Sequence, residues 1–199
     1  MKRALLVVAF LLALPTWAQS PSAKTFFAPT SCTPRSQLYG KDTLLALVPC
    51  ADTSLLEPNF RAQVRCTLSR LDTIAKWDKA IVFESYRSDT RQQWLYSYGR
   101  TRPGKRVTNA NSALTSLHGY AMGVDIIHRY TRWDNPRFFK SLAMHAEVCG
   151  AVAGAFWKRF PDYPHVQAGI WEGAPPQWAR VLSAKEGYRA VWPLLNWSK

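Results

Sequence analysis

The chain has 199 residues, a formal net charge of +13 and 47% hydrophobic residues. This length supplies one well-filled hydrophobic core and excludes two ordinary domains. The positive charge predicts a polyanionic partner, such as an anionic cell wall, a membrane surface or nucleic acid, unless it serves mainly to keep the protein soluble.

The chain begins with the pattern of a secretory signal peptide, residues 1 to 18. Basic residues precede an apolar run, and small residues precede a cut near Gln19. The apolar run is too short for a permanent transmembrane anchor. No cysteine stands directly after the cut, so a lipoprotein has no support. We expect a periplasmic or secreted protein of residues 19 to 199, in which 19 to 35 form an extended leader.

Cysteine usage agrees with that location. The four cysteines fit an oxidising compartment, where disulfides persist, and they lack the close pairs of a Cys-rich zinc site. Three pairings are possible. We favour Cys32 with Cys50 and Cys66 with Cys149, because the first pair closes a short N-terminal loop. A structural role is favoured over a catalytic one.

The first half of the mature chain is predicted to hold two helices around one strand. Apolar residues from Glu57 to Ala75 recur at spacings of four and three, which indicates an amphipathic helix. The run Ala80–Phe83 is predicted to be a mostly buried strand. Ser88 can cap a second helix that extends to Tyr98, and Gly99 supplies its C-terminal stop.

The second half is predicted to alternate strands and helices. The polar segment Arg100–Ser116 is a long loop, and loops of this length are usually functional. Strands are predicted at Gly123–Ile127 and Val166–Ile170, with a helix over Asn135–Gly150 between them. A Trp-rich helical tail begins at Pro175, for which core packing is favoured. Helices against a small antiparallel sheet make a single α+β domain.

Four residues have the composition of a hydrolytic metal centre. Two imidazoles and a carboxylate can hold one zinc ion and leave a fourth position for water, from which a second carboxylate can take a proton. His118 ends the long loop, Asp125 lies in the second predicted strand and His165 opens the third, with Asp162 in the turn before it. The spacing alone is not specific, because a His and an Asp seven residues apart, or an Asp three residues before a His, also occur by chance.

The surrounding motifs make the pattern specific. An ordered series spans residues 80 to 170 and resembles the zinc D,D-/L,D-peptidases of the M15 type, which include phage endolysins and bacterial cell-wall carboxypeptidases. The segment 87 to 100 is most similar to the L-alanyl-D-glutamate endopeptidase branch. The motifs are Glu84-Ser-Tyr-Arg87-Ser88, Arg91-Gln92-x-x-Leu95-Tyr96-x-x-Gly99-Arg100, Val107-Thr-Asn-Ala110, Ser116-x-His118, Asp125 and Trp157-Lys-Arg-Phe160-Pro-Asp162-x-Pro164-His165-x-Gln167.

The resemblance implies a fold like that of the hedgehog and D,D-peptidase proteins, a Zn²⁺ cofactor and a ligand set. It implies that His118, Asp125 and His165 bind zinc and that Asp162 is the general base. The alternative for Asp162 is a cap on the turn before His165. His128 and His145 are expected to be packing or surface residues.

Three further residues receive roles from the resemblance. Arg87 is implied to be an electrophilic partner that holds the scissile carbonyl oxygen or a substrate carboxylate; the alternative is a pair with Glu84 or Asp89. Gln92 either orients substrate or bonds the loop backbone. Ser116 is expected to orient the His118 loop rather than to act as a nucleophile.

The chain departs from the family pattern near the first histidine. The family usually has Gly three residues after it and Ala five residues after it, whereas this chain has Ala121 and Gly123. We expect a shifted turn rather than a lost site. Val166 stands where the family often has Phe, which changes a pocket wall but no ligand.

The resemblance implies that the substrate is the stem peptide of peptidoglycan, at an anionic cell-wall surface. Cleavage between L-Ala and D-Glu is the first choice, and removal of terminal D-Ala is the second. Two other classes stay open: a catalytically weak cell-wall-binding module, and a nucleic-acid binder, which ranks last because no such motif is present. We expect a monomer without a transmembrane anchor.

Overall fold

The computed structural model describes Cys32 and residues 47 to 73, 80 to 171 and 173 to 198. The predicted signal peptide, and the predicted leader except Cys32, lie outside these residues. Within the described ranges, no helix combines the length and apolar character needed to cross a membrane.

Four antiparallel strands form one sheet in the order β1-β2-β4-β3. Both central strands, β2 and β4, are buried at every residue. The register aligns Asp125 with Glu84 on one side and with His165 on the other. The sheet therefore brings two of the predicted metal ligands opposite each other. The strands are β1 Ala80–Glu84, β2 Gly123–His128, β3 Ala151–Ala153 and β4 His165–Ala168.

Three of the four α-helices begin at a side-chain cap that the sequence contains, and the fourth begins after Pro176 without one. Glu57 accepts a hydrogen bond from the N–H of Phe60, Ser88 from Arg91, and Asn135 from Phe138, so each satisfies a helix N-terminal donor. The α-helices are α1 Pro58–Asp72, α2 Asp89–Tyr96, α3 Pro136–Val148 and α4 Gln177–Glu186. Short 3₁₀ helices include Ala113–Thr115, Leu117–Tyr120 and Tyr188–Leu194.

One hydrophobic core lies between the sheet and its helices. α1 and α3 contribute aromatic and aliphatic side chains that are fully or almost fully buried, as does β2. Core residues include Phe60, Val64, Leu71, Val124, Ile126, Phe138, Leu142 and Ala146. Around this core the structure pairs Cys32 with Cys50 and Cys66 with Cys149, the pairing favoured from the sequence.

The predicted α+β class is confirmed, with several corrections to its elements. The strand expected at Val166–Ile170 begins and ends earlier, at His165–Ala168. The helix expected to extend to Tyr98 ends at Tyr96. Strand β3 was not predicted, because its three residues directly follow a helix end and carry no alternating pattern. In the tail, half-buried Trp192 donates its indole N–H to the carbonyl of Tyr120, as expected for core packing.

Candidate metal centre

Three donor atoms converge at the middle of the sheet. His118 Nε2 lies 3.1 Å from His165 Nδ1 and 3.4 Å from Asp125 Oδ1, and the last two atoms are 3.2 Å apart. In a tetrahedral zinc site with bonds of about 2.0–2.2 Å, neighbouring ligand atoms lie about 3.3 Å apart. The triangle therefore fits one small divalent ion, and tetrahedral geometry leaves one further position for water.

Local backbone structure explains how His118 reaches the two strand residues. It lies in the 3₁₀ helix Leu117–Tyr120, and its carbonyl accepts hydrogen bonds from the N–H groups of Arg87 and Ala121. The chain then turns into β2, where Asp125 pairs with His165. A short helix, a turn and a strand pair thus hold the three ligands on rigid elements.

Ala121 and Gly123, the two small residues that are exchanged relative to the family pattern, lie in this turn. Ala121 has φ +56° and ψ 36°, the left-handed conformation that favours glycine. A Cβ on Gly123 would lie 3.1 Å from His118 N and 3.2 Å from His165 Cε1. The expected turn is therefore present with an alanine in a strained conformation, while the glycine leaves room for both imidazole rings.

A further contact on each imidazole sets which nitrogen faces the centre. His118 Nδ1 lies 2.7 Å from the carbonyl oxygen of Ser85, and His165 Nε2 lies 3.0 Å from Gln167 Oε1. Oxygen acceptors at these positions require N–H groups there, which leaves the other nitrogen of each ring free to bind a metal. Gln167 had no role assigned from sequence; its position two residues after His165 on a strand places both on one face.

Arg87 lies directly behind the Asp125 carboxylate. Its Nη2 donates to Asp125 Oδ2 at 2.9 Å and to Glu84 Oε2 at 2.7 Å, and its Nε also donates to Glu84. The alternative pairing with Glu84 is thus present, whereas Asp89 accepts a hydrogen bond from the N–H of Ala113. Glu84 in turn accepts from Arg91 at 2.9 Å. The guanidinium orients Asp125 so that Oδ1 faces the imidazoles.

Gln92 contacts the loop backbone, the second of the two roles expected for it, and its role in orienting substrate stays a prediction. The side chain is fully buried. Its amide group donates to the carbonyl of Ala110 at 2.7 Å and to Thr108 Oγ1 at 3.2 Å, and its oxygen accepts from Arg87. Because its hydrogen-bonding groups are directed to the protein, Gln92 joins the 108–110 loop to the metal centre.

Ser116 lies at the start of the 3₁₀ helix that carries His118. Its carbonyl accepts a hydrogen bond from the N–H of Gly119, and its own N–H donates to Ala113. No hydrogen bond from its side chain caps this helix. The contacts through which Ser116 can orient the loop are therefore those of its backbone.

Asp162 approaches the centre through a tight turn. Its N–H donates to the carbonyl of Gly154, and its carbonyl accepts from the N–H of His165. A Cβ on Gly154 would lie 2.6 Å from Asp162 O and 3.1 Å from His165 Cβ, so only glycine permits this approach. Asp162 is half-buried and lines the same cleft as the three ligands.

The pKa values of the two aspartates of the site shift in opposite directions in the metal-free protein. Burial, followed by the charge of Asp125, raises the pKa of Asp162. Burial alone would also raise the pKa of Asp125, but His118, His165 and Arg87 hold it well below its usual range. One carboxylate is thus kept ionised while the other gains affinity for a proton, a division typical of ligand and base.

The centre opens onto a cleft of about 1390 Å³. Its lining includes residues 107 to 111 of the long loop, and residues 157 and 160 to 164 before β4. Trp133 and Trp171 also line the cleft. Its volume exceeds that of a typical small-molecule pocket and is suited to an extended peptide.

The other two histidines lie elsewhere, as expected. His128 is buried beside Phe138 and Thr131, and His145 contacts Arg70. Among the residues that the structure describes, the only grouping of three potential metal-binding side chains is His118, Asp125 and His165.

Comparison with known proteins agrees with these motifs. The chain is 31% identical, over 99 residues, to the peptidoglycan L-alanyl-D-glutamate endopeptidase CwlK of Bacillus subtilis. The resemblance to M15-type peptidases is confirmed. The alignment covers 44% of this chain and 59% of that relative, so the chain spans about three fifths of the relative's length. No family model matches the sequence.

A solved structure was also found. The Serratia marcescens L-Ala D-Glu endopeptidase ChiX aligns with a TM-score of 0.45 and 18% identity, covering 60% of this chain and 84% of that protein.

Proposed function

We propose that this chain is a zinc-dependent peptidase that hydrolyses the stem peptides of peptidoglycan, with the L-Ala–D-Glu bond as its target. The observation that carries the proposal is the triangle of His118 Nε2, Asp125 Oδ1 and His165 Nδ1, with sides of 3.1 to 3.4 Å. The L-alanyl-D-glutamate endopeptidase activity of the Bacillus subtilis relative supports the choice of bond.

The donor set favours zinc over harder cations. Two imidazoles and one carboxylate suit zinc, whereas calcium and magnesium prefer oxygen ligands alone. Zinc held by His118, Asp125 and His165 would lower the pKa of a water molecule towards about 7 and polarise the scissile carbonyl group.

Asp162 is proposed to move the proton. Its carboxylate takes a proton from the attacking water and passes it to the leaving amine. The raised pKa supports this role, because it gives the Asp162 carboxylate a higher proton affinity than an ordinary aspartate. Substrate bound in the cleft would exclude water from the half-buried side chain.

Arg87 is proposed to act chiefly on Asp125. Three of its hydrogen bonds go to Glu84 and Asp125, so most of its guanidinium is engaged within the protein. Its predicted role as the group that binds the scissile carbonyl oxygen remains a prediction, since Arg87 also lines the cleft.

The proposed location is the periplasm or the cell exterior. The two disulfides support this compartment, because such bonds persist where the environment is oxidising. The net charge of +13 supports an anionic cell-wall surface as the partner.

Digestion of purified peptidoglycan tests the proposal. The mature protein is incubated with the polymer with and without a chelator, and released fragments are identified by mass spectrometry. Fragments with a new D-Glu amino terminus, lost with chelator and restored by zinc, are the expected result. Release of D-Ala alone would instead assign a carboxypeptidase. No release, even with zinc restored, would contradict the proposal.

A further inference from the structure

Ser85 lies between the Cys32–Cys50 disulfide and the metal ligand His118. On one side, its carbonyl oxygen is 2.7 Å from His118 Nδ1. On the other side, its N–H donates to the carbonyl of Cys50. Its hydroxyl lies 3.0 Å from the Cys50 oxygen and 2.9 Å from the Asp52 oxygen. Every hydrogen-bonding group of Ser85 is therefore used to connect these two regions.

The segment that holds Ser85 depends on Cys50 for its own anchoring. Within residues 47 to 55, Cys50 is the one buried residue. Its Sγ atom is 3.7 Å from Ser85 Oγ, and the same sulfur is bonded to Cys32. Because its neighbours are exposed or half-buried, this bond is the covalent restraint that keeps the Cys50 carbonyl against Ser85.

The direction of the Ser85 carbonyl matters for the metal centre. That oxygen accepts the Nδ1 proton of His118 and so keeps Nε2 unprotonated and aimed at His165 and Asp125. Outer partners of this kind typically alter metal affinity by roughly 10- to 100-fold when they are removed.

We propose that Ser85 is a positioning residue for His118, and that the Cys32–Cys50 disulfide sets the zinc affinity of the site through it. This inference rests on the proposed metal centre. In consequence, the chain reaches its full zinc affinity only in the disulfide-bonded form, outside reducing compartments.

The second disulfide offers a matched control. Cys66 and Cys149 join α1 to the end of α3. Within the described ranges, neither cysteine is hydrogen-bonded to Ser85 or to a metal ligand. Loss of this bond should lower the stability of the whole domain and leave His118 oriented.

The experiment compares zinc affinities of the mature protein and three variants. Apparent Kd values are measured by competition with a chromophoric zinc indicator, and folding is checked by thermal unfolding. Ser85→Ala keeps the carbonyl that contacts His118 but removes the hydroxyl that holds Ser85 to the Cys50 and Asp52 carbonyls. This variant and the double variant Cys32→Ala/Cys50→Ala should each raise Kd by roughly tenfold, because each loosens the segment that aims this carbonyl at His118. Cys66→Ala/Cys149→Ala should lower Tm without changing Kd. Nitrogen chemical shifts of the metal-free wild type should show His118 protonated at Nδ1.

The outcomes separate this inference from the proposed function. Zinc binding by the wild type, with unchanged Kd in folded Ser85→Ala and in the Cys32/Cys50 variant, would overturn the inference alone. Absence of zinc binding by the wild type would overturn both. If the Cys32/Cys50 variant does not fold, Ser85→Ala decides the inference by itself.

Discussion

Asp125 and His165 face each other across the β2–β4 strand pair, with Asp125 Oδ1 and His165 Nδ1 3.2 Å apart. The two residues are 40 positions apart in the chain, and only the sheet register brings them together. A shift of one residue in that register would point one of the side chains to the opposite face. The pairing of the central strands is therefore what builds the candidate site.

Replacing the proposed base should slow turnover strongly and leave metal binding intact. Asp162→Asn keeps the side-chain size and removes the carboxylate that accepts the proton, so kcat should fall by roughly 10²- to 10⁴-fold. Zinc content, measured by elemental analysis, should stay at the wild-type level. His145→Gln, which changes a histidine outside the site, is the matched control. Wild-type turnover in Asp162→Asn would exclude this residue as the base.

Loss of Arg87 should weaken both the fold and the metal centre. Arg87→Ala leaves Asp125 without its buried partner and Glu84 with Arg91 alone, which should cost about 3 kcal/mol in the free energy of unfolding. Urea unfolding measures this change. Lys185→Ala, which breaks an exposed pair with Glu186, should have no measurable effect. Equal stabilities of the two variants would contradict the network described for Arg87.

Glycine at position 121, which the family usually has, should stabilise the turn after His118. Ala121→Gly removes the Cβ that disfavours φ +56° and should stabilise the protein by about 1 kcal/mol. The same substitution at exposed Ala62 in α1 should destabilise it by a similar amount. Thermal unfolding of both variants decides the point, and destabilisation by Ala121→Gly would argue against strain at this residue.

Gly123 should tolerate no side chain. In Gly123→Ala the new methyl group would lie 3.1 Å from the backbone nitrogen of His118 and 3.2 Å from His165 Cε1, so the His118 backbone and the His165 ring must shift by a few tenths of an ångström. Zinc affinity should therefore fall by at least tenfold, by analogy with the loss of an outer partner. Gly173→Ala controls for backbone strain alone, since its φ of +98° disfavours a side chain while a Cβ there meets nothing within 4 Å among the described atoms. Unchanged affinity in Gly123→Ala would refute the close packing of the rings.

Zinc should stabilise the folded chain more strongly as pH rises. Burial alone would lower the pKa of His165, but its contacts with Asp125 outweigh burial and raise it in the metal-free protein. The protonated imidazole therefore stabilises the metal-free fold below about pH 6.5, and this contribution is lost as pH rises through the raised pKa. Zinc requires the unprotonated ring, so the Tm increase on adding zinc should be larger at about pH 8 than at about pH 6. A larger increase at the lower pH would contradict histidine ligation.

The α+β class and the residues at the metal centre could be predicted from the sequence, because the helix caps and apolar patterns in the sequence match the helices and strands of the structure. Ser88 and Asn135 cap helices where expected, and His118, Asp125 and His165 stand at predicted loop and strand positions. The resemblance carried their chemical roles, since spacing alone did not separate ligands from ordinary histidines.

What the sequence did not predict are contacts that depend on tertiary packing. Gln92 could have faced substrate or loop, and its burial against Ala110 follows only from the fold. The contact of Ser85 with His118 joins positions 33 residues apart and involves a backbone carbonyl, for which side-chain identity is no signal. Strand β3 is too short for a periodic pattern.

The position of a bound zinc ion is the sharpest test of the candidate metal centre. Crystals of the zinc-loaded mature protein would be measured on both sides of the zinc absorption edge. We predict one anomalous peak about 2.0–2.2 Å from each of His118 Nε2, Asp125 Oδ1 and His165 Nδ1. A zinc peak elsewhere, or none at this triangle at saturating zinc, would contradict the metal centre and the peptidase built on it.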